Sequence, residues 1–265
     1  MICCVASVTQ LFLTHSRSAV VPPSSADYVT ADRQDVRNRL QEDVSVTEND
    51  QYREPVFNVP PVTLYLVAVI FIVHLLLIAT TPSTMHWVYQ TFAFEPEIIA
   101  AVYAQAPFHG LLRLIVTLNT HLFLHHDWMH MIVNAGMLLA FGSLTERRFG
   151  PARYLILYFL AGYLGAYAEY LTTDHSVNLS LYGASAAVFG TMGAGTIIMA
   201  PRFGLRGVLI FSVVLLAINF VIGATSLGSL LVGGGAEIAW VAHMAGFFFG
   251  LGLALLYSLA ERKTR

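Results

Sequence analysis

The run Pro61–Thr80 contains no Asp, Glu, Lys or Arg, and His74 is its most polar interior residue. A helix of about 20 such residues matches the hydrocarbon thickness of a bilayer. Five more apolar runs follow, at about 127–146, 152–172, 183–200, 207–227 and 236–259. In lipid every backbone polar group must be satisfied within its own segment, so runs of this length and composition fold as helices. Charged residues make up only 11% of the chain, against roughly a quarter in soluble domains. The expected fold class is an all-α polytopic membrane protein with a bundle of six transmembrane helices.

Two regions differ from these runs. Residues 1–58 precede the first span, and the stretch 31–54 within them is polar and of mixed charge. Such a composition buries too little apolar surface to fold, so 1–58 is expected to be a mostly disordered cytoplasmic tail, and 59–265 the helical domain. No basic residue precedes its first apolar run, so no cleaved signal is expected. Cys3 and Cys4 are too close together to frame disulfides. The segment 81–120, broken by Pro82, Pro96, Pro107 and Gly110, is too interrupted for a clean span. A net charge of −2 without a basic patch gives no indication of nucleic-acid binding. Lipid is the one partner that composition requires, and no feature fixes an oligomeric state.

Basic residues favour the cytoplasmic side of a membrane. With six spans and the N-terminus inside, thirteen of the 14 basic residues fall on cytoplasmic segments, and Arg113 alone lies outside. Both termini are then cytoplasmic, and spans two, four and six start at the outer face. Their first halves hold His130 and Asn134, Ser185, and His243 respectively. At ~1.5 Å per residue His243 lies about 10 Å below the outer end of its span. Polar groups on three helices therefore share one depth.

Those groups suffice for nucleophilic acyl transfer, which needs a hydroxyl, a base and donors for an oxyanion. Ser185 can be the nucleophile. It lies among Gly183, Ala184, Ala186, Ala187 and Gly190, so nothing bulky crowds it, and a helix N-terminus turns free N–H groups towards developing negative charge. His243 can be the base. Gly246 and Gly250 follow it on one helix face, and small residues on such a face let another helix approach closely. His130 and Asn134 are four apart on one face and can donate to an oxyanion alongside the Ser185 backbone N–H. Asp127 and Glu237 lie at span ends away from His243, which implies a dyad. This chemistry needs no cofactor.

The motifs HMIVN (130–134), GASAAVFG (183–190) and AHMAG (242–246) resemble the rhomboid family of intramembrane serine proteases. His121, His125 and His130 resemble the family's histidine-rich approach to the second span, and GSLTERRFG (142–150) its cytoplasmic exit. The resemblance covers about 58–260. It implies a Ser185–His243 dyad that cleaves transmembrane protein substrates near the outer face. It also implies oxyanion stabilisation by His130, Asn134 and the Ser185 N–H, and a membrane-embedded first loop at 81–120. The fifth span would act as a lateral gate, 228–236 as a cap, and Glu146 with Arg148 as a structural polar pair.

The chain departs from the family pattern at three places. Ala186 replaces the glycine that often follows the serine, Phe189 replaces a tyrosine that stacks on the histidine, and Val116-Thr117 stands where a Trp-Arg pair is common. Two other readings compete. His121, His125, His126, Asp127 and His130 offer ligand types for zinc, but H-E-x-x-H is absent, so no metal site is assigned. A non-cleaving relative that only holds membrane clients typically lacks the serine or the histidine, and both are present here.

Overall fold

The computed structural model describes residues 58–95, 98–99, 102, 107–172, 180–225 and 239–263; the expected tail 1–58, all but its last residue, and the expected cap 228–236 lie outside the described residues. The named elements are all helical: α1 (Pro61–Ile78), α2 (Pro82–Phe92), α3 (Pro107–Thr120), a 3₁₀ turn (His121–Phe123), α4 (Trp128–Met137), α5 (Ser143–Phe149), α6 (Pro151–Thr172), α7 (Ser185–Ala224) and α8 (Trp240–Lys263). A π-helical turn, Leu138–Gly142, carries α4 directly into α5. Among the described residues, four stretches are long and apolar enough to cross a membrane: Pro61–Ile78, Trp128–Phe149, Ser185–Gly223 and Trp240–Lys263. The remaining long helix, α6, reaches about 33 Å over its 22 residues but is more mixed in polarity.

The packing is the reverse of a soluble bundle. On α1 the buried positions are Thr63, Leu66, Ile70, His74 and Leu77, one face at helical spacing that includes both polar side chains. Leu64, Tyr65, Ile72 and Leu76 face outward. Glu146, Glu169, Asn134, Thr191, Thr196 and Asn219 are also buried, while apolar side chains cover the exterior. Water would reverse this arrangement and lipid favours it, because intramembrane polar groups gain partners only inside the bundle.

The expected spans four and five are the two halves of α7, which is broken inside. Pro201 removes a backbone donor, and Gly204 takes φ 69°, ψ 167°, outside helical values. The break reverses the chain. A straight helix would separate positions 185 and 219 by about 50 Å, yet both side chains touch the same imidazole of α8. The α7 chain packs most extensively on α8, and both pack on α6. Glycine makes that approach possible: a Cβ at Gly246 would collide with the Ala186 carbonyl, and one at Gly250 with the Gly190 carbonyl.

Helix α8 runs four residues past the expected end at 259, because Glu261 accepts from Arg148 at 2.7 Å and from Arg153 at 2.6 Å. Glu146 does not pair with Arg148, contrary to the expectation. Residues two apart on a helix point to different sides, and Glu146 instead reaches the start of α1. There it accepts from Val62 N–H at 3.1 Å, Thr63 N–H at 2.7 Å and the Thr63 hydroxyl at 2.8 Å. The N-cap residue Pro60 makes no side-chain cap bond, so this carboxylate substitutes for one. Glu146→Ala is expected to cost about 2–3 kcal/mol, since it leaves buried donors unsatisfied. Thermal unfolding in detergent should show a lowered midpoint.

Candidate active site

Ser185 is the first residue of α7, and the segment before it is pinned by Phe94, His121 and His125. Phe94 and Leu181 exchange both backbone hydrogen bonds in an isolated antiparallel bridge, at 2.9 and 2.7 Å. Gly183 N–H donates to the His121 carbonyl at 2.8 Å. Ala184 N–H donates to His125 Nε2 at 3.4 Å. That last bond requires a neutral imidazole, and burial pushes His125 down to about 3, with His130 adding to the effect. The His125 carbonyl in turn accepts from His74 Nδ1–H at 3.0 Å and from the Tyr89 hydroxyl at 2.9 Å. His74 of α1 thus acts on the residue before Ser185 through a single intermediary.

Gly183 has φ 125°, a backbone conformation that favours glycine. A Cβ there would also lie 2.8 Å from His130 Cε1 and Nε2 and 3.9 Å from Ser185 Oγ. The imidazole edge of His130 and the serine hydroxyl thus both border the space over Gly183. His130 is set by its own helix start, where the Asp127 side chain accepts from His130 N–H at 2.9 Å and caps α4. One turn on, Asn134 is buried and donates Nδ2–H to the His130 carbonyl at 2.9 Å, which leaves its second N–H available.

His243 Nε2 is 2.7 Å from Ser185 Oγ. Phe189, one turn along α7, stacks on the imidazole with centroids 4.6 Å apart and planes 8° from parallel. The ring needs no phenol to make this contact. Helix geometry leaves the Ser185 N–H without an intrahelical partner. A hydroxyl, an imidazole in contact with it, a second imidazole edge and a free helix N-terminus thus lie together, and these groups can deprotonate an alcohol and hold an oxyanion.

The methyl of Ala186 does not enter this arrangement. It lies towards α6, where a Cβ on Gly165 would come within 2.6 Å of it. Glycine at 165 makes room for alanine at 186. Near the Val116-Thr117 departure, Arg113 donates to Glu95 at 2.9 Å and to the Gln90 carbonyl at 3.3 Å.

Two contacts were not foreseen from the sequence. His243 Nδ1 lies 2.7 Å from Asn219 Oδ1, in the second half of α7. Glu169 of α6 accepts the Ala242 N–H at 2.9 Å, next to the histidine. Both are single polar residues inside apolar runs, and that rarity is the signal by which they could have been singled out. The histidines weighed as metal ligands are engaged elsewhere. His121 Nδ1–H donates to the Thr117 carbonyl at 2.8 Å, His126 stacks on Tyr182, and Asp127 is the α4 cap. Among the described residues no three His, Cys, Asp or Glu side chains are arranged to hold a metal ion.

Comparison with known proteins adds an independent line. A family model described as Rhomboid domain matches residues 113–260. The chain is 27% identical over 148 residues to the putative rhomboid protease YdcA of Bacillus subtilis (strain 168), covering 56% of this chain and 69% of that protein. It is 34% identical over 77 residues to the rhomboid protease GluP of the same organism, covering 29% and 14%. It is also 29% identical over 119 residues to the inactive RHOMBOID-like protein 8 of Arabidopsis thaliana, covering 43% and 32%. The aligned region thus spans a third or less of GluP and of the Arabidopsis protein. The domain match takes in more than half of the 265 residues, including Ser185, His243, His130 and Asn134. By that match the chain is an integral membrane protein that belongs to the rhomboid family.

Proposed function

We propose that this protein is an intramembrane serine endopeptidase that cleaves transmembrane proteins near the outer membrane face. The observation that carries the reading is the 2.7 Å approach of His243 Nε2 to Ser185 Oγ at the open N-terminus of α7. As the hydroxyl attacks the scissile carbonyl, its proton passes to His243 Nε2 and a Ser185–acyl bond forms. The carbonyl oxygen becomes an oxyanion, for which the Ser185 N–H, His130 and Asn134 are the proposed donors. His243 then returns the proton to the leaving amine, and water hydrolyses the ester by the same route.

In this reading the chain crosses the membrane six times, with the two halves of α7 counted separately. The segment 81–120 is the membrane-embedded first loop, and both termini are cytoplasmic. The distribution of basic residues supports that orientation. Members named inactive exist in the family, but retention of both Ser185 and His243 favours cleavage over passive binding.

Reconstitution of the full chain with a single-span model substrate tests the reading. Two products whose masses place the cut near the outer end of the span support it, and an intact substrate contradicts it. His130→Ala and Asn134→Ala are each expected to lower kcat by about 10²–10³, the usual cost of one oxyanion donor. Single-turnover kinetics should place that loss in the acylation step.

A further inference from the structure

The base has a third neighbour besides the serine and the stacked phenyl ring. Asn219 is buried in the second half of α7. Its Nδ2–H donates to the Trp240 carbonyl at 3.1 Å, at the start of α8. That bond fixes which way the amide faces and leaves Oδ1 as the atom directed at His243 Nδ1, 2.7 Å away. A carbonyl oxygen can only accept, so the imidazole must carry its proton on Nδ1. Nε2 is then the lone-pair nitrogen, and it is the nitrogen in contact with Ser185 Oγ. The local packing keeps the amide in place. Phe220 meets the Trp240 ring edge-on at 5.2 Å, and a Cβ at Gly223 would overlap Trp240, so this turn of α7 is seated on the first residue of α8.

We propose that Asn219 is a positioning residue for the reaction, holding His243 in the tautomer that accepts the serine proton. It occupies the place of the third member of a Ser-His-acid triad, but with a neutral acceptor. A neutral amide suits a bilayer site, where an unscreened carboxylate is costly to bury. The tautomer matters because an imidazole protonated on Nε2 presents a donor to the serine and cannot take its proton. The inference rests on reading His243 as the base.

The test compares Asn219→Leu, nearly isosteric but without the acceptor, with Asn219→Asp, which keeps an oxygen at the same place. Ser185→Ala serves as the blank, and all are assayed as full chains on one transmembrane substrate. Asn219→Leu is expected to lower kcat by about 10- to 100-fold with KM within about twofold, as loss of orientation at a reacting group does. Asn219→Asp is expected to recover at least about tenfold of that loss. A Leu variant within twofold of wild type in kcat would overturn the proposal, as would equal losses in Leu and Asp or a change confined to KM. If the Leu variant has no cooperative unfolding transition, the Asp variant decides alone. Its kcat within about tenfold of wild type supports the role, and activity at the blank level overturns it. Full activity in the Ser185→Ala blank would instead overturn the reading of His243 on which this rests.

Discussion

Ser185→Ala is expected to abolish cleavage while the bundle stays folded. The substitution removes the atom that would form the acyl bond, and among the described residues no other hydroxyl hydrogen-bonds His243. Loss of a serine nucleophile costs on the order of 10⁶ in kcat where measured, with about 10³–10⁴ over water left to the oxyanion site and binding. Stability should change little. The α7 N-terminus is held by bonds to Leu181, Gly183 and Ala184, not by the Ser185 side chain, which caps nothing. A substrate-cleavage assay paired with thermal unfolding in detergent separates the two effects: activity at background with an unchanged midpoint.

The second large effect is expected at a glycine that carries no chemistry. Gly250→Ala places a methyl on the Gly190 carbonyl, a backbone atom that cannot turn aside. Overpacking costs about 1–3 kcal/mol where side chains can adjust, and a helix backbone adjusts only by moving as a unit. His243 lies seven residues away on α8, so parting α7 from α8 also parts the imidazole from Ser185. A displacement of about 1 Å at a reacting group costs on the order of 10² in rate. Gly252→Ala is the matched control, because nothing lies within 4 Å of its new Cβ. It is expected to be neutral or slightly stabilising, as alanine is the better helix former by about 1 kcal/mol. Activity and unfolding midpoint should both fall in the first variant and hold in the second. Equal behaviour of the two would show that the close approach does not determine the site.

The juxtaposition of Ser185, His243 and His130 was legible in the sequence because topology alone limits where a rare polar residue in an apolar helix can lie. Spans that begin at one face bring their first halves to one depth, and the motifs at 130–134, 183–190 and 242–246 fall there. The same rule also covers the last halves of the alternate spans, which return to that face. Asn219 and Glu169 lie in such halves. In the chain each is a single polar residue within an apolar run, with no partner close by in sequence. Their partners, Trp240 with His243 and the Ala242 amide, are close only through tertiary packing.

Side-chain direction was equally illegible. Whether a methyl at 186 faces the serine or the neighbouring helix depends on where α6 passes, and Gly165 receives it. Glu146 and Arg148 are two residues apart and diverge, one to α1 and the other to Glu261. The break in α7 was foreseen as a loop between two spans, and Pro201 and Gly204 supply its physical cause within a few residues of the place expected.

The central claim is that Ser185 is a nucleophile activated by His243. A serine-directed fluorophosphonate measures this without knowledge of the substrate, because it reacts with an activated serine and leaves a covalent adduct. One adduct is expected on the wild-type chain, located by peptide mass at Ser185, absent in Ser185→Ala and strongly reduced in His243→Ala. An unlabelled wild-type chain, or labelling that persists in Ser185→Ala, would contradict it.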